Sequence, residues 1–140
     1  QMAQAFAINA IGPALLMKHF LPLMPRQGRA VFATLSAKVG SIGDNRVGGW
    51  YSYRASKAAL NQLVHTAAIE LQRRAPTAIC VALHPGTVDS ALSAAFQGGV
   101  SPEKLFSPAT AAAHLLRVID GLTPQDSGSF FAWDGQALPW

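Results

Sequence analysis

Tyr53 and Lys57 stand four positions apart in the stretch WYSYRASKAALNQL. On a helix that spacing puts both side chains on one face. A fixed ammonium beside a phenol favours the phenolate, so the pair can pass a proton to or from an oxygen near neutral pH. Taken alone the pair has an ordinary reading, because Tyr and Lys at this spacing occur on many solvated helix faces. Its neighbours change the balance. Ser36 ends an apolar run just ahead of the loop that feeds this helix, and His84-Pro85-Gly86 ends the next apolar run. In open parallel sheets ligands gather beyond the carboxyl ends of strands. Hydroxyl, phenol, ammonium and a Pro-Gly turn would converge there.

The elements that must hold these residues can be read from periodicity. Residues 29–36, RAVFATLS, read as a buried strand after a turn at Gln27 and Gly28, and a glycine-rich loop follows over 37–50. A long helix is predicted over about 52–74, with Ala59, Leu60, Leu63, Val64, Ala67, Ala68 and Leu71 as its core stripe. Pro76 ends it, and residues 78–83 form a second buried strand. Pro108 suits the first turn of a helix to Asp120 with Gly121 as its stop, and residues 129–133 make a short last strand. The opening segment, 1–23, reads as a helix that Gly12 and Pro13 should bend. Three strands alternating with three main helices predict an α/β architecture, a parallel sheet with helices on both faces, in a single domain over 1–140. The chain opens inside the first helix with no preceding strand, which points to an N-terminal half absent from this sequence.

Composition narrows the class. Half of the 140 residues are hydrophobic and 13% are charged, which disfavours disorder. The net charge of +4 comes from 11 Lys and Arg against 7 Asp and Glu. The basic residues are dispersed, so nucleic-acid binding finds no support. Lys18, Pro22, Pro25 and Arg26 break up the most apolar stretch, and neither a membrane span nor a signal peptide is expected. The single Cys80 lies in the apolar run AICVAL and reads as a buried, reduced thiol of a cytoplasmic protein. His19, His65, His84 and His114 show no metal-ligand spacing, so each reads as a surface or packing histidine and no metal is expected.

Tyr53 and Lys57 match the Tyr-x-x-x-Lys signature of the short-chain dehydrogenase/reductase family, and the likeness runs from the helix with Asn9 to the last strand. The runs GSIGDNRVGGWYSYRASKAALN, HPGTVDS and WDGQALPW resemble the subgroup containing C-factor and the Sniffer-type carbonyl reductases. The resemblance implies the C-terminal, catalytic half of a Rossmann-like doubly wound fold. It implies hydride transfer between NADP or NAD and a small carbonyl or alcohol. Tyr53 would be the general acid/base, and Lys57 would lower its pKa and hold the cofactor ribose. Asn9 would support a water in the proton relay; its ordinary alternative is a bond to neighbouring helix backbone.

A serine would polarise the substrate oxygen. Here the sequence departs from the family, in which two adjacent serines commonly follow the strand and the second is catalytic. The pair reads Ser36-Ala37. Ser36 is preferred because a strand end is a stiff support, and Ser41 is the alternative on spacing to Tyr53. The resemblance assigns Pro85, Gly86, Val88 and Ser90 to the nicotinamide side, with Gly86 letting backbone approach a flat ligand. Trp50 and Tyr51 are candidates for the substrate-pocket floor, and Phe96 and Phe106 for specificity contacts.

The resemblance also places the glycine-rich phosphate fingerprint and the residue choosing NAD or NADP ahead of Gln1. It implies a homodimer or homotetramer through helices 1–23 and 52–74, where Ala55, Ala58, Ala59 and Ala67 permit close approach. The alternative reading is a C-factor-like signalling or interaction protein that keeps the fold.

Overall fold

The computed structural model describes residues 1–94 and 97–140. Its core is a three-stranded parallel sheet in the order β1-β2-β5, built from β1 (Ala30–Leu35), β2 (Ala78–His84) and β5 (Phe130–Ala132). Register is continuous from Ala30 opposite Ala78 to Leu35 opposite Leu83, and His84 pairs with Ala132. The central strand alternates between two cores. Ala78, Cys80 and Ala82 face helix α3 (Tyr51–Arg74), packing with Leu60, Val64, Ala68 and Leu71. Ile79, Val81 and Leu83 face helix α4 (Pro108–Gly121) and Leu122. A period of two in a strand buried on both faces produces this division. Cys80 is buried, and burial pushes its thiol up to about 12.

The first helical run is continuous from Met2 to Leu23. It comprises α1 (Met2–Phe6), a π-helical segment (Ala7–Ile11), α2 (Gly12–Phe20) and a closing 3-10 turn. Pro13 has no N–H to offer, and its ring would crowd the carbonyl one turn back. The helix answers by widening before the proline, so that the Gly12 N–H reaches the Ala7 carbonyl five residues back. The expected disturbance is therefore a π segment that carries Asn9, placed ahead of Gly12 and Pro13. Because the run does not break there, it is 22 residues long and holds a stretch with a mean hydropathy of 1.3, a length and composition that membrane spans share with packed helices of soluble proteins. Its inner side packs on α3 through Met17, whereas Ile8, Leu15 and Phe20 are exposed.

Two short strands escape the period-two reading. β3 (Thr87–Val88) pairs in parallel with β4 (Leu105–Phe106), tying down both ends of the segment between them. Two-residue strands are too short to show an alternation in sequence.

Candidate active site

The strands β1 and β2 deliver their carboxyl ends to one cavity of about 450 Å³. Ser36 and Ala37 enter it from β1, His84, Pro85 and Gly86 from β2, and Tyr53 from the first turn of α3. Val88 and Ser90 line the same space. Every residue assigned to the nicotinamide turn thus shares one cavity with the phenol. A depression of about 490 Å³ between the first helical run and α3 holds Glu70 and Arg74 but none of these residues.

Lys57 stands behind the cavity, with Nζ donating to the Leu35 carbonyl at 2.9 Å. This bond fastens the end of β1 to α3 one turn after Tyr53. Burial lowers the Lys57 pKa, and burial raises that of the Tyr53 phenol. Desolvation favours the neutral form of each group.

Asn9 does not cap its own backbone. Its Nδ2 donates to Ser56 Oγ at 3.1 Å, and Ser56 Oγ donates to the Tyr53 carbonyl at 2.9 Å. The π segment is thereby tied to the turn of α3 that carries the phenol.

The two serines differ in their surroundings. Ser36 lines the cavity, but its Oγ donates to Asn61 Oδ1 at 2.6 Å, so its single proton is spent inside the packing against α3. Ser41 is buried outside the cavity lining, and its Oγ accepts the Asp44 N–H at 3.1 Å. Ala37 lines the cavity without a hydroxyl.

Gly86 has a positive φ of 78°, and a Cβ there would meet Phe106 Cε2 at 2.7 Å and Trp133 Cδ1 at 3.0 Å. Its close approach is to an aromatic cluster of Phe106, Trp133 and His114 behind the turn. Phe106 is therefore a support of the Pro-Gly turn, outside the cavity lining, and not the specificity contact expected. Trp50 does line the cavity, whereas Tyr51 is 81% exposed and does not. Phe96 lies outside the described residues.

Two residues carry more than their sequence positions advertised. Arg54 looks like a solvated helix residue, yet its guanidinium donates to the carbonyls of Val39, Gly48 and Gly49 and lies 5.5 Å from the Trp50 ring centre. It holds the left-handed run Gly48, Gly49 and Trp50 at the cavity rim, where Trp50 has a φ of 51°. A bulky side chain there is strained, and surrounding contacts must hold it.

His84 is the second. It was expected to be a surface or packing residue, but it lines the cavity, and its Nδ1 is buried without a hydrogen-bond partner. Burial first, then the Lys38 charge, lowers its pKa to about 4, while Asp134 and Asp44 pull the other way. An unfolded chain would bind this proton near pH 6.5. Between about pH 6.5 and 4 the unfolded state therefore holds more protons, and stability should fall as pH falls through that window. Full titration corresponds to at most about 3 kcal/mol. Urea midpoints measured from pH 7 to pH 4 should drop less for His84→Gln than for the parent; equal slopes would show that His84 does not titrate this way.

His65 bonds the Gly128 carbonyl and packs edge-on against Trp140, as a packing histidine does. Among the described residues no group of His, Cys, Asp or Glu is arranged to hold a metal ion.

Residues 1–133 match the family model described as enoyl-(acyl carrier protein) reductase. The C-signal of Myxococcus xanthus is 37% identical over 139 residues, covering 99% of this chain and 78% of that protein. A 1-hydroxy-2-glutathionyl-2-methyl-3-butene dehydrogenase of Rhodococcus sp. (strain AD45) is 38% identical over 133 residues, covering 95% of this chain but 56% of the dehydrogenase. Among solved structures, the carbonyl reductase Sniffer of D. melanogaster superposes with a TM-score of 0.82 at 28% identity, covering 96% of this chain and 55% of that one. An NADPH-bound carbonyl reductase from chicken fatty liver gives 0.82 at 31%, covering 99% and 57%. The chain thus spans just over half the length of the reductases and dehydrogenase it matches, as the C-terminal half of that fold would. Signature, fold and matches together show that the chain belongs to the short-chain dehydrogenase/reductase family, in the subgroup of the C-signal and the Sniffer-type carbonyl reductases.

Proposed function

We propose that the protein reduces a small ketone or aldehyde with NADPH or NADH, Tyr53 supplying the proton. The observation that carries this reading is the single cavity in which Tyr53 meets the Pro85-Gly86-Val88 turn, with Lys57 directly behind. The cavity fits a planar amide ring. Gly86 presents backbone with no side chain, Val88 and Pro85 give apolar wall, and Ser90 adds a hydroxyl at the mouth. Those residues, with Tyr53 and Lys57, would hold the nicotinamide side of the cofactor, which supplies a hydride to the carbonyl carbon.

The chain's own residues account for the rest. A phenol kept protonated by burial is in the correct form to give its proton to the carbonyl oxygen as the C–O double bond becomes a single bond. Two electrons and one proton arrive with the hydride and one proton leaves Tyr53, which balances ketone to alcohol. Lys57 keeps the β1 end against α3, and Asn9 steadies the Tyr53 turn through Ser56. NADP is the favoured cofactor because the chicken carbonyl reductase is NADPH-bound, and a cytoplasmic location agrees with one buried thiol.

The test is oxidation of NADPH, with NADH in parallel, by the intact protein over a panel of small ketones and aldehydes. Carbonyl-dependent oxidation is expected. A folded protein that neither binds nor oxidises either nucleotide would sink the reading. It would then favour the alternative, a C-signal-like interaction protein, for which 37% identity across 99% of the chain is the supporting observation.

The exposed Ile8, Leu15, Leu16 and Phe20 on the first helical run are apolar surface beside α3. We assign this face to a homodimer or homotetramer. Light scattering at micromolar concentration should give at least twice the protomer mass, and a monomer would remove the assignment.

A further inference from the structure

We infer that His84, and not a serine hydroxyl, is the side chain that donates a hydrogen bond to the substrate oxygen alongside Tyr53. The inference rests on the reductase reading and deepens it. Reduction places growing negative charge on the carbonyl oxygen, and a donor fixed in a dry cavity stabilises that charge far more than water does. The sequence offers serines for this task, but neither is available as the structure stands. The Ser36 proton goes to Asn61, Ser41 is outside the cavity lining, and Ala37 has no proton to give.

His84 has what they lack. It is the last residue of β2, the central strand, paired in register with Ala132 of β5, so its backbone is held on a stiff support. On the other side the Ser36 N–H donates to the Leu83 carbonyl, which makes Ser36 and His84 neighbours at the strand ends. The ring lines the cavity, and its Nδ1 is sealed from solvent with no partner. A neutral imidazole carries one proton. Placing it on Nδ1 would bury an orphan N–H, the costlier of the two omissions, whereas a bare ring nitrogen there is an under-used acceptor. The economical tautomer therefore carries the proton on Nε2, the nitrogen not sealed away.

The experiment compares single variants of the intact protein under NADPH-dependent turnover of a carbonyl that the parent reduces. His84→Phe should lower kcat at least 30-fold, with NADPH affinity within about two-fold of the parent. His84→Gln, whose Nε2 offers a donor at similar reach, should recover most of that loss. Ser36→Ala and Ser41→Ala should each cost less than about five-fold. A full-rate His84→Phe protein, or a Ser36→Ala protein crippled as severely, would overturn the inference while leaving the reductase reading standing. If His84→Phe does not fold, the Gln and Ser36 variants still decide. A parent protein with no turnover and no nucleotide binding would remove both.

Discussion

Tyr53→Phe should reduce turnover by about 10²–10⁴-fold and leave the fold unchanged. The substitution removes one oxygen and keeps the ring that fills this part of the cavity wall. Its neighbours in the helix, Ser56 and Lys57, reach the Tyr53 carbonyl and the Leu35 carbonyl through bonds that do not involve the phenol. Far-ultraviolet circular dichroism and NADPH affinity should therefore match the parent, so that the deficit falls on kcat. The pH profile adds an independent reading. Burial raises the phenol pKa, so Tyr53 stays protonated as pH rises past the range in which an exposed tyrosine ionises. The reduction rate should hold across neutral pH and fall only where the phenol loses its proton, on the alkaline side of an ordinary tyrosine. A Tyr53→Phe enzyme within ten-fold of the parent would take the phenol out of the chemistry.

The sequence exposed most of what places this phenol. Apolar runs at 29–36 and 78–83 predict strands that the structure places at Ala30–Leu35 and Ala78–His84, and the stripe through Leu60, Val64 and Leu71 predicts the core face of α3. The convergence of Ser36, Tyr53 and the Pro-Gly turn followed from the rule that ligands sit beyond strand ends. What stayed hidden depends on partners far away in sequence. Arg54 is a positioning residue only because three backbone carbonyls of the loop between β1 and α3 fold back around it. Gly86 needs to be glycine because Phe106 and Trp133 close behind it, and neither aromatic is near it in the chain. The π segment could have been sensed from Pro13, since a proline inside a helix must dispose of an unmatched carbonyl. Asn9 falls inside it because its carbonyl is the one that the Pro13 ring would crowd. His84 was passed over because no pattern of spacing distinguishes a cavity imidazole from a core one.

Gly40 is another of these hidden dependencies, and Gly40→Ala should damage both stability and turnover. The short turn Lys38–Gly40 lies on the face of α3 that bears Lys57. A Cβ at Gly40 would sit 2.7 Å from Lys57 Cβ, 2.8 Å from Lys57 C and 3.1 Å from Ala58 N. Two of these atoms are helix backbone, anchored by the buried Leu60, Val64 and Ala68 a turn or more further on. The helix cannot yield, so the turn must lift. Overpacking of this kind costs on the order of 1–3 kcal/mol, which predicts a fall in Tm of roughly 5–10 °C. Lifting the turn also displaces Lys38 and Val39 from the cavity wall and strains the Lys57 bond to Leu35, so turnover should drop more than stability alone explains. Gly121→Ala is the control, because a Cβ there meets nothing within 4 Å at the end of α4. It should leave Tm and turnover where they are or raise Tm slightly. If Gly40→Ala behaves like Gly121→Ala, the turn is free to slide along the helix. The close packing of residues 38–40 on Lys57 would then have no part in holding the site.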